Sequence, residues 1–270
     1  MTGLRLDGKV ALVTGAARGQ GRSHAVRLAE EGADVIGLDI CHDLSELDYP
    51  LASTADLAAT SDLVVQTGRR MITSVVDVRD LGALRHAVDD GVEQLGRLDV
   101  VVANAGVCAV RKWEEIDPEL WDVIIGTNLT GVWNTCAAAL PHLVAGGGGS
   151  LILVSSAAGL KGQPFFAPYA AAKHGLVGLM RSLANELATR GVRVNSVHPT
   201  GVDTPMLAGL SGIGARIAER PELGPLFRNA LPLEVIDPVD VSHAVMYLAS
   251  DDSRAVTGHT LAVDAGISAR

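Results

Sequence analysis

Short apolar runs alternate along the chain with longer stretches in which apolar residues recur at helical spacing. Continuous runs of Val, Ile and Leu are typical of strands that are covered on both faces of a sheet. Strand alternating with helix implies right-handed crossovers between parallel strands. The pattern therefore predicts an α/β protein with a doubly wound parallel sheet and helices on both faces. The predicted strands are 10–13, 35–38, 72–76, 100–103, 151–154, 192–197 and 261–263, and the helical stretches include 22–31, 81–95 and 170–190.

No break in composition marks a linker, so we predict one domain over residues 1–270. Two stretches depart from the alternation. Residues 41–54 form a polar, proline-containing insertion after the second strand, and residues 204–232 collect glycine and proline around a few apolar side chains, which predicts a substrate flap of loop and helix. Long irregular segments in a compact domain are often functional.

Composition and charge exclude several classes of protein. The 22 Lys and Arg against 31 Asp and Glu leave a net charge of −9, which argues against a nucleic-acid partner. Three scattered cysteines and the spacing of the eight histidines predict no metal site, and reduced cysteines and the absence of a signal peptide in the sequence predict a cytoplasmic protein.

One uncharged segment, residues 123–160, has the length of a membrane span. Pro141 and the run Gly146–Gly149 interrupt it. We therefore expect a buried helix, a glycine turn and a buried strand in place of a membrane helix.

A glycine-rich turn follows the first predicted strand and opens a helix. Its spacing, G-x-x-x-G-x-G, lets a chain reverse without Cβ clashes and brings free N–H groups close to a phosphate. This position between a strand and a helix is the context that a dinucleotide-binding turn requires. The predicted contacts in the turn are Gly15, Arg18, Gly19, Gln20 and Gly21.

The second strand ends at Asp39, where a carboxylate accepts hydrogen bonds from a ribose and repels a 2′-phosphate. This favours NAD over NADP as the cofactor. Arg18 favours NADP instead, since a cation in the turn can pair with a 2′-phosphate. However, no basic residue follows Asp39 among Ile40, Cys41 and His42. A purely capping aspartate remains the alternative.

Tyr169 and Lys173 stand four residues apart in the helix-forming stretch YAAAK. Residues at this spacing share a helix face, so the ammonium group can lie near the phenol. A nearby cation favours the phenolate, and we expect it to lower the pKa of Tyr169 from about 10. An exposed helix pair without a function is the alternative.

Taken together, the motifs resemble those of the short-chain dehydrogenase/reductase family from about residue 9 to residue 266. The resemblance rests on the turn TGAARGQG, the strand end Asn104-Ala105-Gly106, Asn128, Ser156 and YAAAK, which occur in the family's order. It implies a Rossmann-type sheet and reversible hydride transfer between a nicotinamide and an alcohol or carbonyl.

The resemblance also implies a role for each matching residue. Tyr169 would be the general acid/base, Lys173 would lower its pKa and hold the nicotinamide ribose, Ser156 would bind the substrate oxygen, and Asn128 would hold a relay water. Without the family context, Asn128 would be a structural hydrogen-bonding residue. The further implied cofactor contacts are Ile40, Asp77, Val78, Asn104, Ala105, Gly106, Val202 and Thr204.

A narrower resemblance concerns the mycofactocin-associated, carveol dehydrogenase-like members of the family. It is carried by GAARGQGRSHAVRLAEEGADVIGLDIC, by the insertion after Cys41 and by VHPTGVDTP. It implies a tightly held NAD that an external redox carrier reoxidises in place. The inserted loop would then lie near the adenosine end of the cofactor and slow its exit.

The sequence thus predicts an NAD-dependent enzyme that interconverts a secondary alcohol and a ketone. We expect a small apolar, terpenoid-like substrate, because the predicted pocket offers few charged side chains: Leu160, Phe165, Phe166, Met206, Leu207 and Phe227. The alternatives are an NADPH-dependent 3-oxoacyl reductase and a non-catalytic NAD-binding sensor or scaffold. The family resemblance also implies a homotetramer that associates through helices beginning near Glu119 and Ala167.

Overall fold

Seven parallel strands form one sheet in the order β3-β2-β1-β4-β5-β6-β7. The computed structural model describes residues 3–210 and 212–270. This arrangement confirms the predicted α/β class and the Rossmann-type sheet. The strands are β1 (Val10–Thr14), β2 (Asp34–Asp39), β3 (Met71–Val75), β4 (Val100–Ala103), β5 (Gly149–Val154), β6 (Val192–Pro199) and β7 (Thr260–Val263).

Helices cover both faces of the sheet because alternate residues of each buried strand point to opposite sides. The helices are α1 (Gly19–Glu30), α2 (Thr54–Gln66), α3 (Leu81–Leu95), α4 (Pro118–Ile125), α5 (Gly131–Ala145), α6 (Ala167–Leu187), α7 (Pro205–Gly209), α8 (Gly212–Glu219) and α9 (Pro238–Ala249). Ala11 and Val13 of β1 pack with helices α1, α2 and α9, whereas Val10 and Leu12 pack with α3, α5 and α6.

The uncharged segment folds into the core. Helices α4 and α5 are continuous through a π-helical turn, Gly126–Thr130, and together form a 28-residue helix that is long and apolar enough to cross a membrane. However, 61% of the apolar 18-residue stretch of this helix is buried inside the fold, as is typical of a core helix. Pro141 lies within α5 and does not end it, contrary to our expectation; the helix ends at the glycine run, where Gly147 and Gly148 take positive φ values.

Two irregular segments lie over the carboxyl end of the sheet. Residues 41–53, which we call the strap, contain neither helix nor strand and end where Ser53 caps α2. Residues 204–232, which we call the flap, contain α7, α8 and a short 3₁₀ helix, Pro221–Phe227. Helix α2 was not predicted from the sequence, and Thr54, which we had assigned to the insertion, is its first residue.

Candidate active site and cofactor cleft

A cleft with about 890 Å³ of empty space lies at the carboxyl ends of β1, β2 and β4. Strands β1 and β4 neighbour each other in the sheet but not in the chain, and this reversal of strand order is where doubly wound sheets bind ligands. The cleft brings together most of the residues that the sequence predicted for the cofactor: Gly15, Arg18, Gly19, Gln20, Gly21, Asp39, Ile40, Asp77, Val78, Asn104, Ala105, Gly106 and Thr204.

The glycine turn has the geometry of a phosphate site. Gly15 and Gly19 take φ values of +67° and +54°, which favour glycine, and a methyl group on Gly21 would overlap the carbonyl oxygen of Gly15. Helix α1 begins at Gly19, and Arg18 provides no side-chain cap to its first N–H groups. Because these groups have no acceptor within the helix, they are available to a pyrophosphate.

Two polar atoms in the cleft wall are buried without a partner among the described residues. They are Oε1 of Gln20 and Oγ1 of Thr127, and both residues line the cleft. A buried polar atom without a partner is costly, so a ligand that hydrogen-bonds there would stabilise the site. A dinucleotide fits this need. Thr127 was not predicted, since its place depends on the π-helical turn that carries it.

Asp39 is 8% exposed and presents a fixed carboxylate at the cleft. Its two oxygens accept hydrogen bonds from the backbone N–H groups of Ala17 (2.9 Å) and Cys41 (3.2 Å). Arg18, the counter-signal in the sequence, donates to the carbonyl oxygen of Pro50 in the strap at 2.6 Å. Its charge is therefore directed to the strap, while the acidic residue faces the cleft.

The next part of the wall follows β3. Arg79 pairs with Asp77 at 2.6 Å. Burial alone would raise the pKa of Asp77, but the hydrogen bonds and charge of Arg79 outweigh it and leave that pKa lowered. Asn134 of α5 donates to the carbonyl oxygen of Val78 at 2.9 Å and so holds this loop from below. No pattern in the sequence indicates this contact, which joins residues 56 positions apart.

Thr14 joins the glycine turn to the end of β4. Its hydroxyl accepts hydrogen bonds from the backbone N–H groups of Asn104 and Ala105, both at 3.1 Å. The amide of Asn104 donates to the carbonyl oxygen of Thr14 at 2.9 Å. The two walls of the cleft are therefore held at a fixed separation.

Asn128, Lys173 and Gly106 meet at the inner end of the cleft. A methyl group on Gly106 would come within 2.8 Å of Oδ1 of Asn128 and 3.6 Å of Nζ of Lys173. The amide of Asn128 is fully buried and donates to the carbonyl oxygens of Val107 and Ile124, both at 2.8 Å. These hydrogen bonds give Asn128 the structural role that was the alternative in the sequence analysis. They also hold its Oδ1 beside Lys173.

The Tyr169 ring lies beside Lys173, whose Nζ is 5.5 Å from its centroid and donates to the carbonyl oxygen of Val154 at 2.8 Å. The side chain of Ser156 faces the same phenol, and its hydrogen bond offsets part of the rise that burial causes in the pKa of Tyr169. Nδ1 of His198 donates to the carbonyl oxygen of Ser156 at 2.9 Å, which fixes the backbone behind the serine. The three predicted reacting side chains are thus brought together.

The electrostatics of this group differ from our expectation. Burial raises the pKa of Tyr169 above its ordinary value, and the nearby Cys108 adds to this, whereas we expected Lys173 to lower it. Lys173 is itself buried, and burial lowers its pKa to about 8. The expectation was wrong because a helix spacing gives the distance between two groups but not their loss of hydration.

Val202 and Thr204 are placed differently from each other. Thr204 lines the cleft, whereas Val202 is 4% exposed, forms a bridge with Ile236 and is absent from the lining. The extra residue Thr200 donates to Oδ1 of Asn229 at 2.9 Å and so connects this segment to the flap. The Val202 side chain therefore packs in the core behind the cleft wall.

The Tyr169 ring packs against two apolar clusters. One contains strap residues and residues of α4, and the other contains Cys108, Val110 and Phe166 with several flap residues around them. Phe165, Phe166, Met206 and Phe227 lie in or against the second cluster as predicted, but Leu160 and Leu207 do not. The sequence missed the strap residues in the cleft wall, which are Leu44, Tyr49, Leu51 and Ala52.

A parallel sheet, a glycine turn before a helix, an acid at the end of β2 and a tyrosine–lysine pair at the cleft define the class of NAD-dependent oxidoreductases with a Rossmann-type fold. Comparison with known proteins narrows this class. The family model described as enoyl-(acyl carrier protein) reductase matches residues 15–268. The chain belongs to the short-chain dehydrogenase/reductase family, and it is an NAD-dependent dehydrogenase that acts on CH–OH groups.

Individual relatives agree with this assignment. The chain is 51% identical to (-)-trans-carveol dehydrogenase of Rhodococcus erythropolis, over 97% of this chain and 98% of that protein. A short-chain dehydrogenase of Mycobacterium paratuberculosis bound to NAD is 48% identical, with a TM-score of 0.95 over 98% of this chain and 100% of that one. Carveol dehydrogenase of Mycobacterium avium in complex with NAD is 50% identical, with a TM-score of 0.92 over 98% of this chain and 99% of that one.

Proposed function

We propose that the protein interconverts a secondary alcohol and a ketone on a small, apolar, terpenoid-like substrate, with Tyr169 as the general acid/base. The observation that carries this proposal is the position of the Tyr169 phenol between two apolar clusters and beside Ser156 and Lys173. Apolar walls with a few polar groups at one point are typical of a site for a small apolar ligand.

Each reacting side chain has one task in this proposal. Tyr169 takes a proton from the alcohol or returns one to the ketone, and Ser156 donates a hydrogen bond to the substrate oxygen. Lys173 offsets the negative charge that develops on the phenol, since its ammonium group lies near that ring. Asn128 fixes a water beside the lysine through its Oδ1 and so connects the phenol to solvent.

NAD, when bound, supplies the redox chemistry by exchanging a hydride with the carbon that bears the oxygen. The residues that would hold it are those of the glycine turn, Asp39, Asp77, Val78 and the segment Asn104 to Gly106, together with Tyr169, Lys173 and Thr204. Val202 is proposed to act through its backbone at the base of the cleft.

The test is a panel of cyclic secondary alcohols, including (-)-trans-carveol, against 3-oxoacyl thioesters. We expect kcat/KM with NAD and an apolar cyclic alcohol to exceed that with NADPH and a thioester by at least about 100-fold, because an acid in the position of Asp39 repels a 2′-phosphate. A preference for the thioester would favour the 3-oxoacyl reductase instead. Bound NAD without turnover of any alcohol would favour the sensor or scaffold.

We further propose that NAD is held tightly and is reoxidised in place by an external redox carrier. The strap lines the cleft and is attached to the rest of the fold at two neighbouring residues: Pro50 accepts a hydrogen bond from Arg18 of the glycine turn, and Asp48 forms an ion pair of 2.7 Å with Arg111. A segment attached in this way must move before a ligand beneath it can leave.

Two variants of strap carboxylates test this retention. Protein purified without added cofactor should keep NAD through dialysis, and Asp48→Asn should release it several-fold faster because one attachment is lost. Glu46→Gln is the matched control, since it removes a charge from the same strap but no ion pair seen among the described residues. Stopped-flow release of NAD measures both. Equal rates of NAD release for the two variants and the native protein would show that the Asp48–Arg111 ion pair does not retain the cofactor.

The remaining proposals concern assembly and location. We propose a cytoplasmic homotetramer that associates through the helices beginning at Pro118 and Ala167. Trp121 and Trp133 support this contact, since they are 42% and 45% exposed on the helix that α4 and α5 form. A molar mass from light scattering that corresponds to one chain would exclude it.

A further inference from the structure

A second cavity, with about 510 Å³ of empty space, lies beside the cofactor cleft. It is enclosed by the strap, by the segment after Val107 and by helices α7 and α8 of the flap. Tyr49 alone among the described residues lines both this cavity and the cleft. The boundary between the two spaces therefore passes through the Tyr49 side chain. The cavity is lined by Asp48, Tyr49, Cys108, Ala109, Val110, Arg111, Gly209, Leu210, Gly212 and Arg216.

The Tyr49 ring is held in place from three sides. Its hydroxyl accepts a hydrogen bond of 3.1 Å from the backbone N–H of Cys108, and its side chain belongs to the apolar cluster with Val107 and Ile124. Its ring packs so closely on Gly209 of α7 that a methyl group there would overlap it. The residue is 7% exposed. It is thus a rigid partition and not a mobile surface side chain.

This partition stands next to the reacting group. Tyr169 packs against the cluster that contains Tyr49 and also against the cluster of Cys108, Val110 and Phe166. A substrate carbon at the Tyr169 phenol therefore has the strap tyrosine on one side and the flap on the other. A substituent that extends from that carbon toward the second cavity meets Tyr49, which separates the two spaces.

The walls of the second cavity indicate which chemical group it accepts. Cys108, Ala109, Val110 and Leu210 supply the apolar part of its wall, beside the charged residues Asp48, Arg111 and Arg216. The two guanidinium groups at its mouth are each paired with a carboxylate at 2.7 Å, Arg111 with Asp48 and Arg216 with Glu115, so neither offers a free charge to an anionic ligand. An uncharged hydrocarbon substituent fits these walls.

We propose that this cavity receives the hydrocarbon substituent remote from the reacting carbon of a cyclic alcohol, and that Tyr49 sets the size of substituent that the enzyme accepts. The proposal rests on the proposed function, since it assigns a substrate to the same site. Tyr49 is a specificity-determining residue in this scheme, supplied by an insertion that lies over the sheet, and it takes no part in proton transfer.

The test compares cyclohexanol with 4-phenylcyclohexanol. Tyr49→Ala should raise the ratio of kcat/KM for the phenyl-substituted alcohol to that for cyclohexanol by at least about tenfold, since pocket size discriminates hydrocarbon groups on this scale. Tyr49→Phe keeps the ring and should leave the ratio within about twofold of the native value. Leu51→Ala is the matched control: it shortens an apolar strap residue that lines only the cofactor cleft, and it should change the KM for NAD without changing the ratio.

A binding measurement separates this proposal from the proposed function. Calorimetry of 4-phenylcyclohexanone with the NAD-loaded protein should show a Kd at least about tenfold lower for Tyr49→Ala than for the native protein, whether or not any alcohol is turned over. Failure of all alcohols to react would overturn the function, and an unchanged Kd and an unchanged ratio would overturn the role of Tyr49.

A second pair of variants changes flap residues and tests whether the position of the Tyr49 ring matters. Gly209→Ala should displace the Tyr49 ring and change the same ratio by about threefold or more. Gly214→Ala changes the third residue of α8, where a methyl group has nothing within 4 Å, and it should leave the ratio unchanged. Because Gly209→Ala keeps the Tyr49 side chain, it keeps the proposal testable even if Tyr49→Ala does not fold. An unchanged ratio in Gly209→Ala would contradict the partition.

Discussion

Replacing Tyr169 with phenylalanine is expected to lower kcat for alcohol oxidation by about 1,000-fold or more while NAD remains bound. The loss follows from removing the only hydroxyl proposed to exchange a proton with the substrate, and such groups contribute about 10²- to 10⁴-fold. Binding of NAD should persist because the variant keeps the aromatic ring and leaves the glycine turn, Asp39 and the segment Asn104 to Gly106 unchanged in the cleft. Single-turnover kinetics gives the loss, and a fluorescence titration gives the Kd for NAD.

The chain offers a matched control for this variant. Tyr247 lies on α9 and is 39% exposed, so Tyr247→Phe removes a hydroxyl of the same kind far from the cleft and should leave kcat within about twofold. Activity that survives in Tyr169→Phe would show that another group moves the proton. A parallel loss of NAD binding would show that the tyrosine is needed for the cofactor and not for the proton.

The parts of the site that depend on local backbone were readable from the sequence. Gly15 and Gly19 were predicted because a tight turn with positive φ needs glycine whatever surrounds it, and Gly21 because the close approach of the Gly15 carbonyl oxygen leaves no room for a Cβ. Asp39 was predicted because its place is set by the end of one strand. The sheet and its two helical layers followed from apolar runs such as those of β1, β2 and β4, which are buried along their whole length.

The parts that depend on distant contacts were not readable. Tyr49 reaches Cys108 across 59 residues, and its segment has neither helical nor strand periodicity that could have placed it. Asn134 supports the loop at Val78 across 56 residues, from a helix whose sequence is otherwise largely apolar. The direction of the pKa shift at Tyr169 failed for the same reason, since burial depends on how the clusters around the ring pack together.

Burial of the charged Lys173 side chain beside Tyr169 is expected to lower the free energy of unfolding. The pKa of Lys173 falls from 10.5 to about 8 because burial disfavours its charged form. Below pH 8 the folded protein therefore carries a buried ammonium group that the unfolded chain would hydrate. Between pH 8 and 10.5 the unfolded chain holds a proton that the folded protein has released, so this group makes the free energy of unfolding rise with pH.

Lys173→Met should accordingly give a more stable and nearly inactive protein. We expect the free energy of unfolding of the NAD-free protein to rise by about 1–3 kcal/mol at pH 7, less than the pKa shift alone implies because the carbonyl oxygen of Val154 loses its donor. The gain should shrink as the pH rises from 8 to 10.5. We expect kcat to fall by about 100-fold or more, since no charge then offsets the phenolate. Denaturant melts across this pH range and steady-state kinetics measure the two effects.

Lys161→Met is the control for the expected gain in stability, since it also removes a lysine that donates to a backbone carbonyl. Lys161 also donates to a backbone carbonyl, that of Ile267 at 3.0 Å, but its side chain is only half-buried. Its removal releases no buried charge, so we expect no gain in stability and a loss of at most about 1 kcal/mol for the hydrogen bond. If Lys173→Met destabilises the protein at pH 7 as much as or more than Lys161→Met does, the buried ammonium group contributes to the fold, and the cost assigned to it here is wrong.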